Sequence, residues 1–146
     1  MLAPERVVSM ALIFVAKSKG LQEWGSDVGI SKNLFKVGLF DGKPADAAAD
    51  LNGRKYLGQG DWTIIGKKDV ELSDEAALFE KMAERVNRVD PTYYPRIKGD
   101  RGVFRVDIHN IEAQMVVQSA MASGDAKVPK IKPADIAKYL IDAALR

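Results

Sequence analysis

Residues 11–16 read Ala-Leu-Ile-Phe-Val-Ala, an apolar run closed by Lys17. A short run without alternation suits a strand buried on both faces, so the fold must supply cover for both sides of a sheet. The longer stretch 7–16, after Arg6, has some likeness to the apolar core of a signal sequence. Lys17 and Lys19 follow it in place of a small-residue cleavage site, and the run is too short to span a bilayer. The expectation is a buried strand in a cytoplasmic protein that does not engage a membrane, with Met10 an alternative start.

Further elements follow along the chain. Residues 17–32 carry Gly20, Gly25 and Gly29 with Ser and Asp, and are read as a long loop. Residues 34–40 (LFKVGLF) form a second strand, in which Gly38 signals a bulge or a close backbone approach. Pro44 opens a helix that Asn52-Gly53 ends. A third strand covers 61–66 and extends to about Val70. Ser73 is expected to cap a helix over 74–88, with Leu78, Phe79, Met82, Val86 and Val89 at helical spacing. Residues 102–108 alternate as a fourth strand, and 110–122 form a further helix. Segments 43–51 and 132–140 share six of nine residues, which reflects two similar helix starts with proline in the first turn.

This order predicts an α+β fold, a small mixed or antiparallel sheet of about four strands covered by three to four helices. The organisation expected is a domain over 1–122, a polar linker over 123–132 and a C-terminal amphipathic helix over 133–146. That helix packs in cis, or else joins a homodimer or docks a protein partner.

The chain has 146 residues, no cysteine and one histidine, His109. Zinc sites of the Cys/His type, disulfides, iron–sulfur sites and cysteine nucleophiles are excluded. His109, alone at a strand–helix junction, reads as a helix-start or surface residue. The net charge is only +2, so nucleic-acid binding requires a local patch. Arg54, Lys55, Lys67 and Lys68 bracket the third strand, and Arg88, Arg96, Lys98 and Arg101 surround Tyr93 and Tyr94. Arginine forks onto phosphates and tyrosine stacks on bases, the composition of a backbone-binding or single-strand-binding loop. The two clusters form one basic surface if the third and fourth strands are neighbours. The alternative is an exposed loop whose tyrosines pack on the body of the protein. Trp24 is read either as an anchor or as an exposed contact.

Phe14-Val15, then Phe35-Lys36-Val37-Gly38, then Leu51-Asn52, Trp62-Thr63-Ile64-Ile65 and Gly102-Val103-Phe104 together resemble the GIY-YIG nuclease fold, phage-type branch. The likeness covers roughly residues 11–122. It implies a nuclease scaffold using two tyrosines, an arginine and a metal-holding glutamate. Those positions are occupied here by Phe14, Phe35, Ala47 and Gly102, none of which supplies the required group. The expectation is therefore a nucleic-acid-binding domain with a degenerate, inactive site and no cofactor. A second reading is a Mg- or Mn-dependent endonuclease using Asp41, Arg54 or Asp107 as displaced groups. A third is an assembly module that binds no nucleic acid.

Overall fold

The computed structural model describes residues 10–30, 33–71, 74–89, 93–94, 97, 102–124 and 130–145. The elements in chain order are β1 (Met10–Ser18), α1 (Lys19–Asp27), β2 (Leu34–Phe40), α2 (Pro44–Gly53), β3 (Trp62–Glu71), α3 (Glu75–Ala83), β4 (Asn87–Arg88), β5 (Val103–Arg105), α4 (Ile108–Ser123) and α5 (Pro133–Leu145). A short 3-10 turn, Tyr56–Gly58, precedes β3. The strands form one antiparallel sheet in the order β3-β1-β2-β5-β4.

The apolar run lies in β1, second from one edge, and its period of two divides the core. Ile13 and Val15 join Phe35, Val37, Phe104 and Val106 on one face, under Phe79 and Met82 of α3, Ile111 of α4 and the buried side of α5. Leu12, Phe14 and Ala16 join Leu34 and Val103 on the other, under Leu21 of α1, Ala47 and Leu51 of α2, and Leu57 and Trp62. Each fully buried Leu, Ile, Val or Phe contributes about 1.5–3 kcal/mol of transfer free energy. The fold is thus α+β with helices on both faces, with five strands where about four were expected.

Several expectations are corrected. Residues 19–27 are not loop but α1: the Ser18 hydroxyl accepts from Leu21 N–H at 3.2 Å, and Leu21 and Gly25 bury against the sheet. The 74–88 helix ends at Ala83 and is capped by Asp74, whose carboxylate accepts from Ala76 N–H; Ser73 lies outside the described residues. Beyond Ala83 the chain reaches the β4 edge, so Val86 packs on one face of the sheet and Val89 on the other. Gly38 marks no bulge, because β1–β2 pairing runs unbroken from Leu12–Phe40 to Ala16–Lys36. Its missing side chain instead makes room for the Phe14 ring, whose Cζ would stand 2.8 Å from a Cβ there. The bulge lies in β3, where register shifts opposite Val15 and Ala16. The strand predicted over 102–108 shortens to Val103–Arg105, and Asp107 caps α4 by accepting from His109 N–H.

The C-terminal helix is not an appendage. Ala137, Leu140, Ile141, Ala143 and Ala144 of α5 are buried in the sheet-facing core. A Cβ on Gly66 of β3 would overlap the Ala137 methyl, so this glycine lets α5 sit directly on the strand. The apolar side of α5 is thereby taken up within the chain, and the boundary placed before residue 133 does not divide the core. Among the described residues, no helix is long and apolar enough to cross a membrane.

Candidate nucleic-acid interface

The register of β2 decides which side chains meet. Phe35 shares its face with Ile13 and Val15, whereas Phe14 faces the opposite side. Phe14 and Phe35, the two tyrosine positions implied by the family resemblance, therefore do not converge. The residue of β2 that turns to the Phe14 face is Lys36, paired in register with Ala16 of β1 and Val103 of β5.

Lys36 is only 6% exposed, at a central position of the sheet. Its Nζ lies 5.0 Å from the centroid of the Phe79 ring and 5.4 Å from that of Tyr56. Aromatic faces attract a cation and partly offset its desolvation, by about 0.5–2 kcal/mol each. Gly102 completes the seat: a Cβ there would stand 2.6 Å from Lys36 Nζ, 2.6 Å from Phe79 Cζ and 2.5 Å from the Val37 carbonyl oxygen. A glutamate cannot be built at this position without moving the backbone of β2.

Lys36 opens on a hollow of about 210 Å³ under α2, which Phe14, Ala47, Arg54 and Tyr56 also line. Arg54 stacks on Tyr56, 4.8 Å from the ring centroid, and pairs with Asp50 at 3.1 Å across one turn of α2. This exposed ion pair adds little stability. Glu75 lines the rim and accepts from Leu39 N–H at 2.9 Å. Tyr56 is held over Lys36 by a tightly wound turn. Lys55 and Leu57 take left-handed conformations, and the Tyr56 carbonyl accepts from the Trp62 indole N–H at 2.9 Å. Left-handed backbone costs a non-glycine residue about 1–2 kcal/mol, and such segments concentrate at functional sites.

The predicted basic residues divide between places. Arg54 lines the hollow and exposed Lys55 follows it. Lys67 of β3 is in register with Phe14 and shares its face, while Lys68 pairs with Ile13 and lies on the α5 side. Arg88 is held at 2.7 Å by Glu80 of α3. Tyr94 packs on the core of the Phe14 face and meets Trp24 edge-on at 5.9 Å, and Tyr93 beside it is 76% exposed. Trp24 is thus an anchor of α1. Arg96, Lys98 and Arg101 lie outside the described residues. The third and fourth predicted strands, β3 and β5, are separated by β1 and β2, roughly 14 Å apart. The two clusters are therefore not one continuous patch built on neighbouring strands.

The displaced nuclease groups do not assemble. Asp41 follows the Phe40 end of β2, whereas Asp107 lies beyond the Leu34 end, where Asn33 accepts from Val106 N–H. A seven-residue strand separates them, roughly 20 Å. Arg54 lines the hollow, whose wall ends at Phe40 beside Asp41 and does not include Asp107. Among the described residues, no three His, Cys, Asp or Glu side chains gather where they could hold a metal ion. His109 stands in the first turn of α4 with its side chain 91% exposed, Nδ1 3.7 Å from Glu112.

Lys36 was missed as a site residue in the sequence. In the sequence it is one residue of the Phe35-Lys36-Val37-Gly38 match, although alternation in a two-faced strand places it opposite Phe35. Comparison of the chain with protein-family models, with curated proteins and with solved structures finds no match.

Proposed function

We propose that this protein binds the sugar–phosphate backbone of nucleic acid on the α2 face of its sheet and does not cleave it. The observation that carries this reading is Lys36, a lysine buried at the centre of the sheet, seated between two rings and opening on a hollow. Arg54, Lys55 and Lys67 add positive charge on the same side. Backbone binding needs such fixed cations, and a buried ammonium that is already positioned loses little entropy on contact. Gly102, with no room for a glutamate, supports loss of cleavage.

The test is fluorescence anisotropy of labelled single- and double-stranded oligonucleotides across a salt series. Binding should weaken linearly on logarithmic axes, and Lys36→Met should lower the slope by about one while weakening all sequences alike. Lys68→Met, on the opposite face, should leave the slope unchanged. Absence of binding at low salt removes the proposal.

A further inference from the structure

The α2 face carries a second opening, at the far edge of the sheet. Arg105 of β5 pairs in register with Leu34, on the same face as Lys36 and Val103. From the register, the Cα atoms of Lys36 and Arg105 are about 8 Å apart. Arg105 is exposed and lines two adjoining clefts. One, of about 260 Å³, has Ile30, Val89 and Tyr94 as its apolar wall. The other, of about 410 Å³, runs on past Ile30 to Asn33 and His109. Ile30 and Arg105 line both, and the two adjoining clefts are together called the trench.

Three features of the trench fit a planar aromatic ligand. The Arg105 guanidinium is a flat cationic surface, and among the described residues no hydrogen bond or ion pair occupies it. Tyr94, in the wall of the trench beside Arg105, is backed by Trp24 at 5.9 Å between ring centroids and flanked at 5.1 Å by the exposed ring of Tyr93, which stands next to the lining. Trp24 and Tyr94 are held by packing on the core under α1 and α2. The trench also carries a group able to hydrogen-bond a base edge, the exposed His109 imidazole. A duplex keeps its bases stacked away from such a trench, whereas a single strand can turn one in.

We infer that the trench takes an unstacked base, held between the Arg105 guanidinium and the Tyr94 ring with exposed Tyr93 beside it, and that the protein therefore prefers single-stranded nucleic acid. This rests on the backbone-binding reading: the hollow holds the phosphate chain and the trench holds a base of the same strand.

Anisotropy titrations of the full chain would use three labelled probes of about 12 nucleotides: a single strand, the same strand with abasic sugars throughout, and a duplex. The single strand should bind about tenfold tighter than the abasic strand. Tyr93→Ala and Arg105→Gln should each erase most of that difference and leave abasic binding within about twofold for Tyr93→Ala. Both side chains are exposed, so neither change threatens the core. Equal binding of the abasic and normal strands would overturn the trench while leaving the backbone reading intact. No binding of any probe would overturn both.

Discussion

A side chain at Gly102 has no place to go. Its Cβ would meet the Val37 carbonyl, the Lys36 ammonium and the Phe79 ring, all within 2.6 Å. The lysine could swing away, but the carbonyl cannot, because the same stretch of backbone is tied by Val37 N–H to the Gly102 carbonyl at 2.8 Å. Gly102→Ala should therefore cost about 1–3 kcal/mol of stability in urea melts. It should also weaken oligonucleotide binding at temperatures where the variant remains folded, since Lys36 loses its seat. Gly102→Glu should fail to create metal-dependent cleavage, because the carboxylate would arrive with a disrupted β2 and without the other family groups. In the sequence, Gly102 reads as a lost carboxylate. Only the fold shows it as the vacancy that admits Lys36, since both Val37 and Phe79 come to it from distant parts of the chain.

At the scale of the element, α1 shows how tertiary partners override composition. Glycine at 20 and 25 disfavours a helix by about 1 kcal/mol each relative to alanine, and on that ground the segment reads as loop. Two signals pointed the other way: serine at 18 ahead of the segment, and Leu21, Trp24 and Val28 at helical spacing. The helix start is then tied down from 41 and 43 residues away. Asp61 accepts from the Ser18 hydroxyl at 2.5 Å and from Gly20 N–H at 3.1 Å. The Ser18 bond, ahead of the opposing effect of burial and aided by backbone N–H groups, holds the Asp61 carboxyl below its ordinary value. A depressed carboxylate pKa adds stability above the unfolded value, and that stability is lost as pH falls through the lower folded value. Asp61→Asn should therefore be less stable than the parent at neutral pH, with the gap closing below about pH 4. Urea melts at a series of pH values would check it, and a gap that persists in acid would assign the effect to geometry and not to charge. The strands β1, β2, β3 and β5 and the proline-led helices α2 and α5 are legible because period and punctuation are local, whereas β4 falls where the spacing reads as helix. The end of α3 is not legible, since Val86 and Val89 continue a helical spacing that the chain uses to change faces at β4.

On the scale of the whole molecule, the sheet divides what stabilises the protein from what would bind, with α3 the link between them, since Phe79 belongs to the α5-side core and also seats Lys36. The face under α5 is closed by packing: Gly66 admits Ala137, and α5 is further held where the Ala143 carbonyl accepts from Arg85 at 3.3 Å. The face under α1 and α2 carries the Lys36 hollow and the Arg105 trench. If the faces are energetically separate, a lesion on one should not be felt as affinity on the other. Gly66→Ala tests this, because its methyl must push α5 away from β3. It should lower stability by about 1–3 kcal/mol and leave the oligonucleotide affinity of the folded protein within about twofold. Adding Ala137→Gly should return most of the packing loss, short of about 1 kcal/mol for glycine in a helix interior. Paired melts and titrations on the parent, the single variant and the double variant give the answer. Loss of affinity in step with loss of stability would mean that α5 sets the geometry of the hollow, through β1 and Phe14 or through α3 and the Phe79 ring that seats Lys36. Independence would mean that β1, buried on both sides, is stiff enough to insulate the two faces, which is the mechanical consequence of the apolar run at 11–16.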